Sequence, residues 1–128
     1  MNRSFTQLFE AQMFNQDIML EKKMYENIID KDNVSIPSDN IKLSSYHIQQ
    51  LISEVGEVLE ADKRWKNFRA DKYNTNSKLE ELADCFIVLM NISMFSGFDS
   101  EDVWNAINAK IIDVEKRIMK VGNNDNNS

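Results

Sequence analysis

A chain of 128 residues suits one domain, long enough for a real core and too short for two comfortable ones. Its formal net charge of −6 opposes nonspecific attraction to DNA, RNA or anionic membranes, but not binding of a free nucleotide, because metal ions can bridge two negative partners. The single cysteine, Cys85, excludes an internal disulfide, and its place in an apolar helix favours a small buried filler over a nucleophile.

The N-terminus, Met1-Asn2-Arg3-Ser4-Phe5, goes on with alternating polar and apolar residues and lacks the apolar core of a signal peptide. The longest apolar run, Cys85 to Met90, is far below the roughly 20 residues that cross a bilayer. The expected compartment is the cytoplasm.

Apolar residues at mixed spacings of three and four, among them Phe5, Leu8, Phe9, Met13, Tyr25 and Ile28, predict a first helix from Ser4 to about Asp30. Residues Lys31 to Asn40, with Pro37 among Asp, Asn and Ser, form a loop. A second helix runs from Ser44 or Ser45 to Trp65 or Phe68. Ile48, Leu51, Ile52, Val55, Val58 and Leu59 share one sector of it, and His47, Gln50, Glu54 and Glu57 form a polar strip along the edge. Asp62 projects into the apolar sector, either as a helper in the same cavity or as the end of the stripe near solvent.

Arg69 to Asn76 reads as a polar linker, with Thr75, Asn76 or Ser77 able to cap the next helix. Ser77 with Glu80 matches a capping box, which makes Glu80 a capping group. The third helix, about Lys78 to Ser96, is apolar almost all the way round, so it needs cover on several sides and is expected at the centre of an oligomer. Its exceptions Glu81, Asp84 and Asn91 fall within about 80° of one another, a polar stripe on a dry rod. Gly97 ends that helix. Asp99 or Ser100 starts a fourth, which continues to Met119 or Lys120 through Val103, Trp104, Ile107, Ile111, Val114 and Ile118. Lys110 and Arg117 lie near one face of it, which approaches the acidic cavity if helices three and four pair antiparallel. The expected architecture is all-α: a four-helix bundle-like subunit over residues 1–121 assembling as a dimer or dimer of dimers, with a disordered polar tail at 122–128.

Two acidic pairs of equal spacing carry the chemistry. Glu54-Val55-Gly56-Glu57 and Glu81-Leu82-Ala83-Asp84 each set two carboxylates about one turn apart on one helical face. Asp84 borders the dry run Cys85 to Met90, where an unanswered carboxylate costs several kcal/mol. A hard divalent cation answers four such groups, Mg²⁺ with Mn²⁺ as a substitute. Mg²⁺ takes six oxygen ligands, combining carboxylates with waters and phosphates, so two or more ions fit a site holding a triphosphate. A carboxylate left free, Glu54 or Glu57, could then take the proton of an attacking water. Zinc would call for more Cys and His than one of each, and a bundle di-iron site for two Glu-x-x-His pairs in a chain whose only histidine is His47.

Around this core stand residues with two readings each. His47 lines a nucleotide pocket or serves as a surface or capping residue. Lys63, Arg64 and Lys66 meet phosphates or offset a helix dipole. Trp65 and Phe68 stack a base or pack on the first helix. Asn91 contacts a base or satisfies a neighbour, and Lys110 and Arg117 bind phosphate or form ordinary salt bridges. With three glycines and no glycine-rich phosphate loop, side chains and metals must hold any phosphate.

The segments Ile52 to Glu60, Glu81 to Asp84 and Leu89-Met90-Asn91 resemble the all-α nucleoside triphosphate pyrophosphohydrolases, the superfamily of MazG-like enzymes and dimeric dUTPases. Its pattern is Glu-x-x-Glu, a linker, then Glu-x-x-Asp, here with 23 residues between the pairs, and the similarity covers roughly Ser45 to Arg117. The resemblance implies Mg²⁺ held by Glu54, Glu57, Glu81 and Asp84, and hydrolysis between the α and β phosphates to nucleoside monophosphate and pyrophosphate. Asn91, Lys110 and Arg117 match the family's Asn, Lys and a later basic position. Arg64-Trp65-Lys66 loosely resembles the Trp-Lys segment of dimeric dUTPases with a slightly different spacing from Glu54, and Val114 stands where relatives often carry Asn; both departures weaken a claim to uracil. The alternative is a noncatalytic oligomerisation or regulatory protein that binds through its apolar faces.

Overall fold

The computed structural model describes residues 2–29, 34–66 and 74–126, and side chains as far as 121. Among the described residues four helices make up the fold, α1 (Phe5–Glu21), α2 (Ile41–Ala61), α3 (Thr75–Met94) and α4 (Ser100–Asn126), with a 3₁₀ turn at Lys63–Trp65 following α2. Among the described residues no helix is long and apolar enough to cross a membrane.

Each start is fixed by a side chain that satisfies backbone N–H groups left free in the first turn. Ser4 and Gln7 form a reciprocal capping box on α1. The Asn40 side chain accepts from the Leu43 N–H at 3.0 Å, so α2 begins earlier than Ser44. Asn74 accepts from the N–H groups of Asn76 and Ser77, so α3 begins at Thr75. The expected Ser77/Glu80 capping box is thereby displaced, and Glu80 is an exposed residue one turn further in. Asp99 and Asp102 cap α4 reciprocally, each side chain accepting from the other's N–H. That helix runs to Asn126, past the Met119 or Lys120 where the Asn-rich composition had set its end.

α1 is shorter than the periodicity predicts. Lys22 closes it and Lys23 turns left-handed at φ 56°, while the Met24 N–H donates to the Met19 carbonyl and the Lys23 N–H to Leu20. That bond pattern ends a helix, but it normally rests on Gly or Asn. Tyr25 and Ile28 continue as turns rather than as helix, and Asp30 lies outside the described residues.

α2 and α3 pack as an antiparallel hairpin. At its closed end the Ser38 and Asn40 N–H groups donate to the Met94 and Phe95 carbonyls. Gly97, at φ 91°, turns the chain there in a backbone conformation that a side chain would strain, with Asp39 in ordinary van der Waals reach of an added Cβ. The core gathers at this end: Phe9, Tyr25, Ile29, Leu43, Met94 and Phe95 are buried together. At the other end Asp62, buried, receives Arg64 at 2.7 Å and Lys78 of α3 at 2.8 Å. Both sequence readings of Asp62 give way to this: it closes α2, starts the 3₁₀ turn and ties α2 to α3. Arg64 and then Lys78 hold its carboxyl well below the usual range.

Among the described residues α4 meets the body near its start, where Trp104 stands 5.4 Å from Phe5 and Val103 packs on the core. Its packing partner is α1, so the antiparallel pairing of helices three and four is not formed in one chain. Outward-facing residues of α3, Leu79 and Phe86 among them, are well exposed.

A left-handed lysine carries a steric cost of about 1 kcal/mol that glycine avoids. Lys23→Gly is expected to raise stability by roughly that amount in denaturant unfolding, whereas a loss would show that the Lys23 side chain contributes more than its backbone strain removes.

Candidate metal centre

Between the two tied ends, the hairpin brings the acidic pairs face to face. Glu54, Glu57 and Glu81 each present a carboxylate oxygen within 4.8 Å of the others. Glu54 and Glu81 are half-buried and Glu57 is exposed. The Oε2 atoms of Glu54 and Glu81 are shut off from solvent and have no hydrogen-bond partner. Asp84 is exposed and outside this tight group of three, yet its charge acts on both Glu54 and Glu81.

The electrostatics of the group are one-sided. Burial, then the neighbouring Glu57 and Asp84 charges, push the Glu54 carboxyl up. The adjoining Glu57 carboxyl, then burial and the surrounding carboxylates, push Glu81 up. Every charged neighbour that shifts either residue is another acid. Burial and the same four carboxylates raise the Cys85 thiol, which suits the filler reading because a nucleophilic cysteine needs the opposite shift. Unpartnered inward oxygens on converging carboxylates fit a hard divalent cation, which takes oxygen ligands and removes the mutual repulsion.

A second polar cluster lies on the side of the hairpin facing α1. Asn91, buried, accepts from Gln12 Nε2 at 2.9 Å and from Gln16 Nε2 at 3.3 Å. Tyr25 Oη donates to Gln16 Oε1 at 2.5 Å and sits 3.3 Å from His47 Nε2. His47 is buried, with its ring stacked on Phe95 at 5.4 Å and edge-on to Tyr25 and Tyr46. The capping or surface reading of His47 therefore fails, because the residue lies in the core. Its Nδ1 has no partner. For Asn91, the structure supplies the satisfied neighbours in Gln12 and Gln16. Sequence reasoning passed over both, although two amides four apart on the apolar side of α1 are a readable signal.

The expected cations stand elsewhere. Lys66 Nζ lies over the Trp65 ring at 5.2 Å, and the Trp65 indole N–H donates to the Leu59 carbonyl. Lys63 meets Glu60 and Arg64 meets Asp62. Lys110 and Arg117 are exposed on α4, and one chain does not bring them to the acids. Phe68 lies outside the described residues.

Three converging carboxylates on an antiparallel helical hairpin could coordinate a divalent cation, which supports a hydrolase-type activity in general terms. The chain belongs to the MazG family: the MazG nucleotide pyrophosphohydrolase domain matches residues 44–119, which hold all of both acidic pairs. No curated protein and no solved structure matches it.

These environments set the pH dependence of stability. Glu54 and Glu81 titrate above their ordinary value of 4.5 in the folded chain, so the stability they give is full below that pH and is lost as pH rises through their folded values. Glu54→Gln and Glu81→Gln are each expected to raise the melting temperature of the metal-free protein at pH 7.5; a fall would mean the acids are already answered. His47 behaves oppositely. Burial pushes it from 6.5 down to about 4, so the unfolded chain takes up a proton first and stability falls as pH drops across that window, by up to about 3 kcal/mol. Urea titrations at pH 7 and pH 5 should show a smaller loss in His47→Phe than in the parent, with the opposing Glu54 and Glu81 contributions common to both; equal losses would contradict a buried neutral imidazole.

Proposed function

We propose that this chain is a Mg²⁺-dependent nucleoside triphosphate pyrophosphohydrolase acting between the α and β phosphates, in a house-cleaning role such as removal of dUTP. The observation that carries the reading is the pair of buried, unpartnered oxygens on Glu54 and Glu81 inside a purely acidic cluster. Family membership supports a nucleotide as the substrate class. An interaction surface alone gives no reason to converge three carboxylates with two oxygens denied both water and a donor, and this favours an enzyme over a noncatalytic assembly protein.

Glu54, Glu57 and Glu81 would hold the ion, with Asp84 completing the acidic edge for a second. When bound, Mg²⁺ offsets phosphate charge and acidifies water. The rest falls to the chain itself. Glu54 or Glu57 takes the proton from the attacking water as its oxygen bonds to the α phosphorus. The bridging P–O bond to the β phosphate breaks, and pyrophosphate leaves with that electron pair, giving the nucleoside monophosphate. The half-buried Glu54 suits the base role when Glu57 and Glu81 carry the metal, since burial favours its protonated state after transfer. Trp65, more than half exposed in the 3₁₀ turn that follows α2, offers a face on which a base can stack. The subunit works as a homodimer or homotetramer, a reading supported by the uncovered apolar side chains of α3.

Incubating the protein with Mg²⁺ or Mn²⁺ and a panel of ribo- and deoxynucleoside triphosphates, while monitoring pyrophosphate, is expected to show turnover of at least one. Absence of turnover on every nucleotide by folded protein rejects the proposal. Glu54→Ala and Asp84→Ala are each expected to lower turnover ~100-fold or more with the helical spectrum unchanged, as loss of metal positioning requires. Undiminished activity in both would move the chemistry away from this cluster.

A further inference from the structure

We infer that His47, Tyr25, Gln16 and Gln12 are positioning residues, linked in a hydrogen-bond chain of fixed direction that makes Asn91 present its amide NH₂, and not its carbonyl, to the nucleoside part of the bound nucleotide. The inference rests on the pyrophosphohydrolase reading and deepens it, because it gives the site a donor of one polarity away from the metal. Only one assignment of protons satisfies the chain. Tyr25 has a single phenolic proton, which burial makes hard to remove by pushing the group up to about 12. That proton goes to Gln16 Oε1 at 2.5 Å, a pure acceptor, in preference to the Met19 sulfur at 3.9 Å. The Tyr25 oxygen can then only accept from His47 Nε2, 3.3 Å away. A neutral imidazole carries one N–H, so it lies on Nε2, and Nδ1, sealed from solvent with no partner, keeps the bare lone pair.

The direction carries on into α3. With its Oε1 taken by Tyr25, Gln16 turns its Nε2 to Asn91 Oδ1 at 3.3 Å. Gln12, whose Oε1 accepts from Asn15 at 3.2 Å, brings a second Nε2 to the same oxygen at 2.9 Å. Two donors converging on one oxygen exclude the flipped Asn91 amide, which would set N–H against N–H twice. Asn91 Nδ2 is left over: it donates to no described group and, unlike His47 Nδ1, it is not sealed from solvent. Asn91 shares one stripe of α3 with Glu81 and Asp84, seven residues and so about 10 Å beyond Asp84. With the phosphates at the acids, the sugar and base lie away from them, and their hydroxyl, carbonyl and ring-nitrogen atoms are the acceptors such a donor takes. A donor held in one orientation also rejects a nucleoside that offers an N–H at the same point.

The first test needs no nucleotide. His47 is the only histidine in the chain, so a long-range proton–nitrogen correlation spectrum of the isotopically labelled protein at pH 7 reads its tautomer directly. The Nε2–H form is expected, and the Nδ1–H form or an imidazolium overturns the inference. The second test uses the triphosphate that the protein turns over fastest, with folding followed by circular dichroism. Asn91→Asp keeps an oxygen for Gln12 and Gln16 but replaces the donor by an acceptor; it is expected to raise KM roughly tenfold with kcat within about threefold of the parent. Tyr25→Phe releases the direction of the chain. It is expected to raise KM about threefold or more in the parent and to change it little in the Asn91→Asp background, since it acts through an amide that is already gone. An unchanged KM in Asn91→Asp, or a Tyr25→Phe effect of equal size in both backgrounds, overturns the inference. Absence of turnover on every nucleotide rejects the pyrophosphohydrolase reading instead, whatever the tautomer.

Discussion

Three carboxylates, each with an oxygen within 4.8 Å of the others, form the constraint on which the structure turns. Left free, Glu54, Glu57 and Glu81 would separate. They converge because the hairpin that carries them is fastened on both sides of them, by backbone bonds and the aromatic core at its closed end and by Asp62 with Lys78 at the other. The cluster is thus imposed by packing that lies elsewhere, and its repulsion is set against the stability of those two fastenings.

The same chain shows how it treats a carboxylate meant for structure. Asp62 is more buried than any member of the cluster, yet it receives a guanidinium and an ammonium and is held ionised. Glu54 and Glu81 receive neither and are pushed toward the protonated form by burial and by other acids. Two environments roughly two turns apart along α2 therefore answer negative charge in opposite ways. The contrast marks the cluster, unlike Asp62, as carboxylates that could coordinate a divalent cation. The buried amides and rings around Asn91 and His47 have a different task, joining α1 and the turn after it to the hairpin through Gln12, Gln16 and Tyr25.

What the sequence disclosed was set by whether local pattern or tertiary contact decides a feature. The all-α class, the existence of all four helices, the glycine turn at Gly97 and the pairing of two acidic turns were readable, because periodicity and spacing encode them directly. The end of α1 was not, since Lys23 adopts a conformation for which sequence gives no warning in the absence of Gly or Asn. His47 resisted reading because a polar strip on a helical wheel says nothing of a tyrosine and a phenylalanine arriving from distant segments. Asp62 resisted for a similar reason: its partner Lys78 is sixteen residues on. Lys110 and Arg117 show the limit most clearly. Their shared helical face was correct, but the direction α4 takes after Gly97 depends on the whole fold, and it leads away from α3 in a single chain.

The central claim is that a divalent cation occupies the space among Glu54, Glu57 and Glu81, and equilibrium binding of Mn²⁺ measured by electron paramagnetic resonance tests it most directly. The account predicts saturable binding to the parent chain, weakened at least tenfold by either Glu54→Gln or Glu81→Gln while the fold is kept. Binding that is absent from the parent, or equally strong in both variants, would contradict it.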